Sequence, residues 1–270
     1  MHPEDSMATM QINFFSKSLK KIVTVTALIP VDSFMQPEDR TCVPDGGFKS
    51  LYLLHGFSGT FSDWLTGSNI QELSLENKIA VFMPSCGNNF YLDDNERSEL
   101  YQQFAGVELV EMTRLLFPLS HKREDTFIGG LSMGGFGAIH TGFAYPETFG
   151  RIVALSSALI IHDIAGISAG FKDPVADYNY YHAVFGDLNH LVESSNNPET
   201  LLDMLLHDKK ELPEIFMACG TEDFLIKENC AFHDFLNSRN IIHDYFESAG
   251  VHNWKFWDEY IGKAVTWLMK

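Results

Sequence analysis

The chain has 270 residues, 45% of them apolar and 13% aromatic, which is enough to bury a full core and too hydrophobic for a disordered polypeptide. A formal charge of −17 argues against nucleic acid, which needs clustered Lys and Arg, and against an anionic membrane surface; an uncharged small substrate stays open. A single α/β domain over residues 1–270 is the expectation for this length.

In chain order, Met7 and Met10 are alternative starts, which would make the leading MHPEDS dispensable. Lys20 and Lys21 precede an apolar stretch that Asp32 interrupts, too short for a signal or a spanning helix. Residues 21–29 alternate and are β-branched, as in a half-exposed strand, and 36–49 read as a loop or hairpin connection. A buried strand at 50–54 ends abruptly at His55-Gly56. A helix is expected at 67–77, a strand at 79–83 closed by Pro84, and a loop at 87–97. Residues 98–117 carry apolar side chains at helical spacing and predict one long amphipathic helix. Further strands are expected at 151–156, ending at Ala218 and at 244–247, with helices at 224–238 and 254–269. Strands alternating with helices imply right-handed crossovers and a doubly wound, mostly parallel sheet. The residues at about 158–210 show little periodicity and are the candidate lid.

Cys42, Cys86, Cys219 and Cys230 are scattered, with no C-x-x-C pair and no histidine at metal-ligand spacing. They read as ordinary thiols of a cytoplasmic protein.

The organising stretch is Gly130-Leu131-Ser132-Met133-Gly134, an apolar strand that turns sharply into a helix with a serine at the apex. Such a turn strains the serine backbone, and residues two before and two after it must be nearly without side chain. The string alone is a weak signal, equally compatible with a Gly-rich turn and a solvent-facing serine. A serine hydroxyl needs a base, and the base an acid. In a doubly wound sheet these groups emerge at carboxyl ends of strands. Asp223 follows one such end and His252 another, in the order Ser, acid, His; Glu222 is the alternative acid. His140, His233 and His243 lack this placement and read as surface or core histidines. Two backbone N–H groups must face the developing oxyanion. Met133, at a helix N-terminus, supplies one; Phe57 is expected to supply the other, with Ser58 as alternate. Trp64, Tyr91 and Trp254, with Phe57, flank these loops and are candidate pocket walls, although each could equally be ordinary packing.

Taken together, HGFSGTFSDW, GLSMGGFGA, ACGTEDFL and GVHNWKFW resemble the esterase D-like branch of the α/β-hydrolases, and within it the bacterial tributyrin and acetyl esterases. The resemblance spans roughly residues 20–270. It implies Ser132 as nucleophile, Asp223 as acid, His252 as base, and Phe57 and Met133 as oxyanion donors. It further implies hydrolysis of short-chain, acetyl-like esters without cofactor or metal, often by a homo-oligomer. Thioesterases of the S-formylglutathione hydrolase type, acyltransferases, peptidases and inactive binding proteins share this fold. Formylglutathione hydrolases usually have a cysteine soon after the His-Gly pair, where Ser58, Gly59 and Thr60 stand here.

Overall fold

The computed structural model describes residues 8–31 and 43–270; the leading MHPEDS, Cys42 and the first half of the 36–49 connection lie outside these. Eight strands form one sheet: β1 (Ala8–Ser16), β2 (Lys21–Ile29), β3 (Lys49–Leu54), β4 (Ile79–Pro84), β7 (Thr126–Leu131), β8 (Arg151–Leu155), β9 (Glu214–Gly220) and β10 (Asp244–Ser248). A separate two-stranded ladder pairs β5 (Asp93–Asp94), in the expected loop, with β6 (Glu99–Leu100), at the start of the expected helix. The sheet order is β1-β2-β4-β3-β7-β8-β9-β10; β1 with β2 and β2 with β4 are antiparallel, and every later pairing is parallel. This is the α/β-hydrolase architecture.

The helices are α1 (Asp63–Gly67), α2 (Ile70–Asn77), α3 (Tyr101–Gln103), α4 (Leu109–Leu116), α5 (Met133–Ala144), α6 (Ile161–Ile164), α7 (Tyr178–Phe185), α8 (Pro198–His207), α9 (Ile226–Ser238) and α10 (Trp254–Leu268). None of them is long and apolar enough to cross a membrane.

The central parallel strands are apolar throughout because both faces are covered. Alternation within them decides which side each residue serves. Tyr52 and Leu54 of β3 join Phe136, Ile139 and Phe143 of α5 in one apolar cluster. Leu51 and Leu53 join Ile70 of α2 and Ile261 and Val265 of α10 in the other. The sheet is thus a partition between two cores, and every parallel strand ends at the same rim.

Three differences from the sequence expectation are local. β1 is an added edge strand whose Met10, Ile12 and Phe14 alternate with exposed Thr9, Gln11 and Asn13. The expected helix at 67–77 starts at Ile70, as α2, with the short α1 ahead of it. The expected single helix at 98–117 starts later and carries a π turn at Phe104–Glu108 between α3 and α4. Gly106 in that turn sits directly against the Tyr145 ring, where any side chain would collide. The residues between β8 and β9 hold the short helices α6, α7 and α8, two of them capped by side chains: Asp177 accepts the Tyr180 N–H, and Asn197 the Glu199 N–H.

Candidate active site

Ser132 lies between the end of β7 and the first residue of α5, with φ 55° and ψ −119°. That positive φ is strained for a residue with a side chain, and the surroundings enforce it. Its N–H donates to the Leu155 carbonyl at 2.8 Å, and its own carbonyl accepts the N–H groups of Phe136 and Ala158. A side chain at Gly130 would run into the Gly134 backbone, and one at Gly134 into the carbonyls of Leu54 and His55. The strand, the turn and the helix can therefore approach only with glycine at both positions.

His252 follows β10. Its Nε2 accepts the Ser132 hydroxyl at 3.0 Å, and its Nδ1–H donates to both carboxylate oxygens of Asp223, at 3.0 and 2.9 Å. Asp223 follows β9 and is 3% exposed. Burial pushes its carboxyl up, but the bond from His252 and the Leu225 N–H at 2.9 Å outweigh that and hold it below the usual carboxylate value. Phe224 and Trp257 pack on the imidazole, with ring centroids 4.5 and 4.9 Å away. The neighbouring acid has another partner. Glu222 accepts the Gly250 N–H at 2.7 Å while its own N–H donates to the Gly250 carbonyl, so it ties the acid loop to the histidine loop. Gly220 and Gly250 touch backbone to backbone, leaving no room for a side chain on Gly220.

The loop after β3 is organised by His55, which is 1% exposed. Burial pushes its pKa down, and its two bonds fix one neutral tautomer: Nδ1–H donates to the Gly56 carbonyl at 2.7 Å, and Nε2 accepts the Cys86 N–H at 2.9 Å. The Gly56 carbonyl also accepts the Gly59 N–H at 3.1 Å. Across a trans peptide the following N–H points the opposite way, so these bonds aim the N–H of Phe57. The alternate donor is engaged elsewhere: the Ser58 N–H donates to Asn88 Oδ1 at 2.7 Å. Met133, as the first residue of α5, has no intrahelical acceptor for its N–H.

Ser132, Met133, Phe57, His252 and Trp254 line one cavity of about 890 Å³. Two expected wall residues do not belong to it. Trp64 is 1% exposed and donates to the Leu54 carbonyl at 2.9 Å, standing behind Trp254, whose ring lies between it and Trp257 at 5.3 Å from each. Tyr91 is wholly buried against Gly137 of α5 and donates to the His55 carbonyl at 3.0 Å. Both flank the site in sequence, yet the apolar interior under the loops claims their rings. Conversely, Phe90, Trp257, Phe171 and Tyr181 line the cavity without having been singled out. His55 and Asn229 were missed too. Asn229 is fully buried, accepts the Ser157 N–H and donates to the Ser157 and Leu225 carbonyls, bracing the turn behind Ser132. For His55 the sequence hint is a polar residue closing an apolar run; Asn229, after Lys227 and Glu228, carries none.

Comparison with known proteins follows from this geometry. The Esterase family model matches residues 30–268. The chain belongs to that family. An acetyl esterase from Caldicellulosiruptor saccharolyticus is 49% identical over 266 residues, covering 98% of this chain and 99% of that one. Among solved structures, the Staphylococcus aureus fluorophosphonate-binding serine hydrolase F is similar at TM-score 0.84 and 28% identity, covering 98% of this chain and 99% of its own. The S-formylglutathione hydrolase of the same organism is similar at TM-score 0.82 and 28% identity, covering 98% and 100%. This esterase is accordingly an enzyme of carboxylic-ester hydrolysis.

Proposed function

We propose that this esterase hydrolyses short-chain, acetyl-like carboxylic esters through an acyl-enzyme on Ser132. The observation that supports it most is the continuous relay from Ser132 through His252 to Asp223, at 3.0 and 2.9 Å, opening into one cavity. In this reading His252 takes the serine proton as the hydroxyl attacks the ester carbonyl, and Asp223 holds the imidazole in the tautomer that can accept it. The N–H groups of Phe57 and Met133 stabilise the tetrahedral oxyanion, aided by the N-terminal end of α5. His252 returns the proton to the departing alcohol, then activates water to release the acid. Trp254 and Phe57 bound the space beside the serine and favour small acyl groups. Residues 158–210, with α6, α7 and α8, act as the lid over the alcohol side.

A fluorophosphonate adduct mapped by mass spectrometry tests this. Labelling of Ser132 is expected, with a loss of about 10⁴-fold or more in kcat/KM on p-nitrophenyl acetate for Ser132→Ala. A Ser132→Ala protein as active as wild type overturns the reading. A thioesterase of the S-formylglutathione hydrolase kind is the second reading, favoured by the likeness to the Staphylococcus aureus enzyme.

A further inference from the structure

The walls of the cavity beyond the serine are acidic. Asp63 at the start of α1, Asp163 on α6, Asp173 in the segment before α7 and Glu228 on α9 all line it, and no Lys or Arg does. Among the described residues none of these four carboxylates pairs with a Lys or Arg. Asp173 keeps its charge: burial pushes it up, but the N–H groups of Ala176 and Val175 and the Tyr181 hydroxyl, at 2.7 Å, hold it below the usual range. Glu228 faces Asp163, and its Oε2 is buried with no donor to satisfy it. Burial first, and then the Asp163 charge, push the Glu228 carboxyl above its ordinary value. A substrate group that donates hydrogen bonds or carries positive charge satisfies this pair, whereas an anion meets like charge in a partly desolvated pocket.

We propose that Asp163 and Glu228, with Asp63 and Asp173, make the cavity select esters by the charge of their alcohol portion, accepting neutral or cationic groups and rejecting anionic ones. The proposal rests on the reading of this cavity as the ester site. It also disfavours a glutathione thioester, whose peptide portion bears carboxylates.

The test compares para-acetoxybenzoate, para-acetoxybenzamide and para-acetoxyphenyltrimethylammonium, each kcat/KM divided by the ester's own alkaline hydrolysis rate. The carboxylate ester is expected to fall about tenfold or more below the amide, and the ammonium ester to match or exceed it. Glu228→Gln and Asp163→Asn should each narrow the gap between carboxylate and amide within the same protein, an internal ratio that does not depend on the amount folded. Equal normalised rates for the carboxylate and the amide in wild type overturn the proposal. So does a gap that both variants leave unchanged, which would trace the effect to the overall charge of −17 instead. Failure of the catalytic reading looks different, as a fully active Ser132→Ala protein. Calorimetric binding of para-hydroxybenzoate and para-hydroxybenzamide to that variant reads the charge preference without turnover.

Discussion

Ser132 is held at a strained φ of 55° by bonds on both sides of its peptide, and His55 fixes the Gly56–Phe57 peptide through the two bonds of its ring. For His55 the consequence is a split in kinetics. Its substitution by Asn should lower kcat by about 10–100-fold on p-nitrophenyl acetate with little change in KM, since a misaimed Phe57 N–H affects charge that develops only in the transition state. A raised KM at unchanged kcat would contradict this positioning role. The two adjacent acids give a second contrast. Asp223→Asn should cost about 10³–10⁴-fold in kcat by favouring the wrong imidazole tautomer, whereas Glu222→Gln should cost less than about tenfold, because it only ties loops. Steady-state kinetics on both variants decides it. The Ser, acid, His order and the strand-end rule were legible because they are properties of chain position. Trp64 and Tyr91 were not: aromatic residues beside a site look alike in sequence whether they line a cavity or fill the layer beneath it.

Helix α5 carries the strain of the elbow and a buried histidine. Gly134→Ala must push against two carbonyls, so a loss of about 1–3 kcal/mol in urea unfolding is expected, against less than about 0.5 kcal/mol for Gly170→Ala, which faces open space. His140, 2% exposed, accepts from Gln102 at Nδ1 and donates from Nε2 to the Ser195 carbonyl, fastening α5 to the residues before α8. Burial lowers its pKa from 6.5 to about 4. The folded state resists a proton that the unfolded chain accepts. This contribution is therefore complete above 6.5 and is lost as pH falls towards 4, by about 2–3 kcal/mol. Urea midpoints at pH 7 and 4.5 should differ less in His140→Gln than in wild type. Helices and parallel strands were legible where apolar runs were long. β1 escaped because three alternating apolar residues are a thin signal, and the π turn because it depends on the distant Tyr145 ring.

At the scale of the molecule, the parallel sheet brings to one rim side chains separated by 120 residues. The serine follows β7 at the sheet centre, whereas acid and base follow its last two strands. β10 is an edge strand with all of its residues exposed or half-exposed. Glu222 and the Gly220–Gly250 contact couple its following loop to that of β9. Edge elements open at lower free energy than central ones. On gradual heating, hydrolytic activity should therefore vanish several degrees before far-UV circular dichroism reports melting; coincident curves would contradict this. The bench would then hold a population still folded at its centre, its serine intact but without a proton acceptor, and cooling from that stage should restore turnover without a full refolding event.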